Sequence, residues 1–246
     1  MKKNTPLLLL VVGVLVFIGI FMFMRGRSNG NLVEEEEFVP ELAVSDRPFT
    51  SLTPSEDGHW LKLLVDGIDV PGAESMDYEL LYKVEDGRTQ GVPGIISLDG
   101  SSSIERDLLL GSESSGIFRY DVGVNSGSLT LKFRNGSGKL IGKVSTDFAL
   151  LSDTKELSSV DEAFVFELKS AVKGTFFVVM ETFGLPGEYA GNVASGPFGI
   201  FTSSTDSYPG SVTKPSDSLY WDGSSWQPAT SSNDIGVFIK GTSSEN

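Results

Sequence analysis

From Arg47 onward the chain carries segment after segment in which apolar and polar residues alternate with a period of two. Leu129, Leu131 and Phe133 face one way, Thr130 and Lys132 the other. The same spacing groups Tyr78, Leu80, Tyr82 and Val84, then Phe118, Tyr120 and Val122, then Val144, Thr146, Phe148 and Leu150. Phe164, Phe166 and Leu168 repeat it, and Ile235, Val237 and Ile239 close the series. A strand turns successive side chains to opposite faces, so this pattern predicts half-buried strands. Residues 176–180 are apolar on both faces and predict a central strand.

The turn chemistry agrees. Asp-Gly stands at 57–58, 66–67, 86–87, 99–100 and 222–223, and Asn-Gly at 135–136. Such pairs accept the positive φ of tight hairpins. Strands and turns recur every ~8–12 residues, the rhythm of a β-sandwich. Residues 47–151 then hold roughly seven strands, enough for one sandwich domain. A polar break, SDTKELSSVD at 152–161, predicts a second, smaller β-domain over 152–241, with 242–246 as a tail. The alternative is one continuous sandwich in which the break is a long loop.

The segments DYELLYKV (77–84) and SGSLTLKFRNGSGKLIGKVSTDFAL (126–150) resemble strands of immunoglobulin-like and fibronectin-like modules on bacterial surface proteins. The resemblance is one of pattern. The chain has no cysteine for the usual disulfide, and a clear core-tryptophan spacing and a tyrosine corner are missing. What it implies is an all-β, immunoglobulin-like sandwich with a structural or binding use.

Residues 7–24 read LLLLVVGVLVFIGIFMFM, without a polar side chain. As a helix they reach about 27 Å, close to the hydrocarbon thickness of a bilayer. Fourteen of the eighteen are Leu, Ile, Val or Phe, giving an insertion free energy of about −6 kcal/mol at most. This predicts a single transmembrane helix, Leu7 to Met24. Arg25 and Arg27 follow it directly, and it exceeds the ~7–15 apolar residues of a cleaved signal peptide, so it is expected to stay as an anchor. Lys2 and Lys3 favour a cytoplasmic 1–6 and extracytoplasmic C-terminal domains. Residues 25–46, with the run Glu34–Glu37, read as an acidic flexible stalk.

Four of the 19 basic residues precede residue 34, leaving 15 against 33 acidic ones, a net charge of −18. Such a surface repels nucleic acid, so no nucleic-acid partner is expected. It suits basic partners, divalent cations, or simple solubility. The lack of cysteine excludes disulfides, thiolate catalysis and cysteine-ligated metals.

Candidate sites are sparse. His59 is the only histidine, and no Ser-His-Asp signature, His-x-Glu or HExxH pattern surrounds it. Asp66, Asp69 and Asp86 lie in expected turns, where sandwich ends gather oxygen ligands, so calcium is the one cofactor this pattern admits. The segment Leu219–Trp226, with Tyr220, Trp221 and Trp226 flanking an Asp-Gly turn, offers rings able to stack on sugars or to cap a core. The expected function is a non-enzymatic, single-pass bacterial cell-surface protein presenting β-sandwich modules for adhesion, envelope structure or assembly with other surface proteins. One alternative is carbohydrate binding at the Trp221/Trp226 hairpin. Another is an envelope hydrolase with converging carboxylates.

Overall fold

The computed structural model describes residues 41–242. The apolar stretch 7–24, the stalk up to residue 40 and the tail from 243 lie outside the described residues. Among the described residues no helix is long and apolar enough to cross a membrane. The described part is all-β, apart from one 3-10 turn at Val44–Asp46.

The first strands of the described residues form a hairpin of β1 (Phe49–Pro54) and β2 (Trp60–Asp66), followed by a second of β3 (Ser75–Lys83) and β4 (Thr89–Ser97). β5 (Ser103–Leu109) returns to pair with β2. A small hairpin of β6 (Gly111–Ser114) and β7 (Ile117–Tyr120) precedes the long pair β8 (Ser126–Arg134) and β9 (Leu140–Ser152). Then come β10 (Glu156–Ser158), β11 (Val165–Leu168), β12 (Phe176–Glu181), β13 (Asn192–Phe201) and β14 (Gly210–Lys214). β15 (Leu219–Trp221), β16 (Trp226–Pro228) and β17 (Val237–Thr242) end the fold.

Nine of these strands form one sheet in the order β16-β15-β17-β13-β12-β9-β8-β3-β4. Two three-stranded sheets, β1-β2-β5 and β10-β11-β14, pack against it. They cover opposite faces, as residue parity on β12 shows. Val178 and Met180 enter the core shared with β2, β3, β5 and β8. Phe177 and Val179 enter the core shared with β11, β13 and β17. Adjacent strand residues point to opposite faces, so β12 is covered on both sides. The run 176–180 is thus the central strand its composition predicts. All four of these side chains are 0–1% exposed, and burial of each stabilises the fold by roughly 1.5–3 kcal/mol.

Most alternating segments face the core as expected: Leu129, Leu131 and Phe133 are fully buried, as are Leu80, Phe148, Phe164 and Phe166. One segment departs. Phe118, Tyr120 and Val122 are 43%, 43% and 61% exposed, because β7 pairs only with β6 and belongs to neither layer.

The Asp-Gly and Asn-Gly pairs do two jobs. Those at 57–58, 86–87, 135–136 and 222–223 sit in hairpin turns. Those at 66–67 and 99–100 carry the chain between layers, from β2 to β3 and from β4 to β5. The polar break at 152–161 spans the end of β9, the whole of β10 and part of the turn to β11, and the large sheet continues beyond it through the β9–β12 pairing. The stretch expected as stalk is docked from Glu41 on. Glu41 bridges to Lys143, and Leu42 is buried over Gly142. Arg47 then ties to the Leu42 carbonyl at 3.0 Å and to the Glu41 carboxylate at 2.9 Å.

One turn is built twice. In Ser55–Trp60, the Ser55 hydroxyl donates to Asp57, the His59 amide donates to the same carboxylate, and the Trp60 amide donates to the Ser55 hydroxyl. In Ser159–Phe164, Ser159, Asp161, Ala163 and Phe164 make the same set. The fourth residue has positive φ in both, Gly58 at 71° and Glu162 at 56°. Each turn opens a three-stranded sheet in which a later strand adds to the second: β5 in one, β14 in the other. Each such sheet is followed by a short hairpin, β6–β7 or β15–β16. The second half diverges at β17, which adds to β13 because the free edge of β12 is already taken by β9.

Two outcomes follow from this packing. Phe177→Ala should cost about 3–5 kcal/mol and Met180→Ala about 2–5 kcal/mol in urea unfolding, although the two side chains lie on opposite faces of one strand. The hydroxyl of Ser159, then the amide of Ala163, hold the Asp161 carboxyl below its ordinary range. A depressed carboxyl adds stability above its unfolded value and loses it as pH falls through the folded one. The melting-temperature advantage of the wild type over Asp161→Asn, which keeps the acceptor, should therefore be full at neutral pH and shrink below about pH 4.

Candidate binding surface

The β6–β7 hairpin turns through Ser115 and Gly116, both with positive φ (53° and 78°), as a two-residue connection demands. Glu113 lies directly opposite Phe118, and Gly111 opposite Tyr120. Directly opposed residues share a face, so Phe118, Tyr120 and Glu113 line one side of the hairpin, with Ile117 and Arg119 on the other. Gly111 is required here: a Cβ would come within 2.2 Å of the Arg119 carbonyl oxygen.

The hairpin is moored to the sandwich at its base. The Leu110 amide donates to the His59 carbonyl, the Asp121 amide to the Leu110 carbonyl, and the Glu85 amide to the Val122 carbonyl. The buried Tyr82 hydroxyl donates to the Asp121 carboxylate at 2.9 Å. Burial, reinforced by that hydrogen bond, pushes the Tyr82 phenol well above its ordinary range, so it stays a donor.

Aromatic packing sets the rings. Tyr120 stacks on His59 with centroids 4.2 Å apart and planes within 5°. Phe118 meets Trp60 edge-on at 5.7 Å and 67°. Phe118 and Tyr120 lie 6.3 Å apart and within 3° of parallel. Each exposed ring therefore has a second ring behind it. Val122, 61% exposed, follows at the base of the hairpin, and Ile117, 67% exposed, adds an apolar group on the hairpin's other side. Exposed apolar groups gathered in this way mark interaction surfaces more often than scattered ones do.

The expected sites are placed differently. Trp221 and Trp226 are direct cross-strand partners, 5.3 Å apart and tilted by 54°. Both are half-buried. Tyr189 packs edge-on against Trp226 at 6.2 Å, and Gly187 lies so close to Trp221 that a Cβ would come within 2.2 Å. The Trp226 indole N–H is buried without an acceptor. Tyr220, next along the strand, turns away from Trp221 and packs on Phe238 at 5.2 Å. Burial, then the charges of Asp234 and Asp222, raises its phenol. The structure thus joins Trp221 to Trp226 but not to Tyr220, and the two indoles do not share a plane.

Asp66 ends β2 and Asp69 follows it at one end of the sandwich, whereas Asp86 sits in the β3–β4 turn at the other. The nine residues of β3 separate those ends by about 30 Å. Asp86 is paired with Arg88 at 2.7 Å. Among the described residues no group of three His, Asp or Glu side chains gathers as a metal would need. Two carboxylates, Asp77 and Glu79, do share a hollow of about 430 Å³ on the outer face of the large sheet. Asp77 is bonded there to Arg134 at 2.7 Å, and Lys132 lines the same hollow.

The alternation of Phe118, Tyr120 and Val122 was legible as strand but not as surface. The usable signal was its partner strand, GSES at 111–114, which brings no apolar side chain to cover it.

Tyr82→Phe should cost about 1.5 kcal/mol, the scale of a hydrogen bond to a charged group. It should also speed amide hydrogen exchange across 111–122 more than across β8 and β9. Equal acceleration everywhere would mean that Tyr82 does not act as the local mooring. Compared with known proteins, the chain matches no family model, no curated protein and no solved structure.

Proposed function

We propose that this chain is a non-catalytic, single-pass membrane protein of a bacterial cell surface that presents its β-sandwich outside the membrane and works by binding. Its roles would be adhesion, envelope structure or assembly with other surface proteins. The observation that carries the binding reading is the β6–β7 hairpin, whose exposed aromatic rings stand outside both layers. The apolar stretch 7–24, with Arg25 and Arg27 after it, supports the anchor and the orientation.

The strand order supports an immunoglobulin-like module over 49–152. β1-β2-β5 faces β4-β3-β8-β9, an arrangement that corresponds to strands A, B and E over C′, C, F and G of immunoglobulin-type sandwiches. The β6–β7 hairpin is then an insertion between E and F. Three features favour binding over hydrolysis. Asp77, one of the two carboxylates in the outer hollow, is ion-paired through Oδ2 with Arg134 at 2.7 Å, and its Oδ1 is buried. Asp57 and Asp161 serve turns. His59 serves as the backing ring of Tyr120.

Protease added to intact cells expressing the full chain tests the topology. Digestion of the part from residue 41 on, while a cytoplasmic marker survives, is the expected result. Protection until the cells are lysed would refute the outward orientation.

A further inference from the structure

We infer that the Phe118–Tyr120 face of the β6–β7 hairpin is a stacking platform for a neutral glycan chain. The inference rests on the proposed binding function and names its ligand class. It assigns that role to this hairpin instead of the Trp221/Trp226 one.

Four observations select this ligand. The exposed side chains are rings, not only aliphatic groups, and Phe118 and Tyr120 are parallel within 3°. Both rings are 43% exposed, and their uncovered surface offers π-contact to C–H groups such as those that line the faces of pyranose rings. Both rings are fixed before a ligand arrives. His59 occupies one face of Tyr120, Trp60 braces Phe118, and the Tyr82–Asp121 hydrogen bond moors the strand that carries them. Such pre-organisation lowers the ordering cost of binding. Glu113, directly across from Phe118 on the same face, is exposed; its Oε1 accepts the Gly116 amide at 3.3 Å, and a carboxylate has further lone pairs for hydroxyls beside the rings. The net charge of −18 beyond residue 33 opposes a polyanion, which removes nucleic acid and acidic polysaccharide from the candidates. The Trp221/Trp226 pair lacks the first property, being tilted by 54° and covered by Gly187 and Tyr189.

The test uses the full chain in zwitterionic lipid nanodiscs, titrated with cellohexaose and, separately, with hexa-N-acetylchitohexaose. Aromatic NMR signals of Phe118 and Tyr120 report contact, and the fluorescence of Trp60, behind Phe118, reports occupancy. Saturable shifts with at least one oligosaccharide are expected. A Phe118→Ala/Tyr120→Ala variant should weaken that binding at least tenfold, with unchanged circular dichroism and melting temperature within a few degrees. Trp221→Phe/Trp226→Phe should bind as the wild type does. Absence of saturable shifts with both oligosaccharides overturns the inference, as does undiminished binding by the Phe118/Tyr120 variant. Dimers that dissociate only in that variant would assign the face to a second copy of the chain, and would also overturn it. Because the purified protein is used, the result is independent of the protease test. Glycan binding with a failed orientation removes the anchor topology alone.

Discussion

Strand β12 has no solvent face between Phe177 and Met180. Its even residues complete one core and its odd residues the other, so a single run of apolar side chains serves two sandwiches at once. Each core also needs a covering sheet on its own side, and the two covering sheets are the two places where the Ser-x-Asp turn recurs. The architecture is a repeated unit joined through a shared wall. Sharing that wall explains the irregularity of the second half. β9 already holds one edge of β12, so β17 has to add beyond β13.

This arrangement fixes where a surface is free for function. The β1-β2-β5 and β10-β11-β14 sheets spend their apolar faces on the cores. The hairpin after each of them is the element left over. In the second half that hairpin joins the large sheet through β15 and β17, and Tyr220 is spent on Phe238. In the first half it pairs with nothing beyond itself. Its aromatic side chains are therefore held by His59 and Trp60 without being covered by them. Leaving such groups in water forgoes roughly 1.5–3 kcal/mol per fully buried side chain, a cost that fits a binding role.

Period two in the sequence is a statement about strands, and it was reliable for them. Leu129, Leu131 and Phe133, or Phe164, Phe166 and Leu168, could be placed on core faces because each has an apolar partner strand. The doubly apolar Phe176–Met180 run announced the shared strand. Phe118 and Tyr120 carry the same pattern and are exposed. Alternation shows which residues share a face, not what lies opposite that face. The same limit governs the acids: Asp66, Asp69 and Asp86 all read as turn residues, but only the topology shows that Asp66 closes β2 and that β3 separates the first two from the third. The tryptophans were legible as a cross-strand pair, whereas the sealing by Gly187 and Tyr189 comes from a loop some thirty residues earlier and could not be read locally.

If one wall serves both cores, neither sandwich can lose its structure while the other keeps it. Two reporters sit in different halves of the fold: Trp60 at the start of β2, and the Trp221/Trp226 pair on β15 and β16, next to β17. Urea unfolding of a Trp221→Phe/Trp226→Phe variant follows the first, and of a Trp60→Phe variant the second. After correction for each variant's own stability, measured by far-ultraviolet circular dichroism, the fluorescence and dichroism midpoints should coincide in both. A Trp60 transition separated from the Trp221/Trp226 transition, with a plateau between them in the dichroism, would show that the halves fold independently and would contradict the shared-wall account.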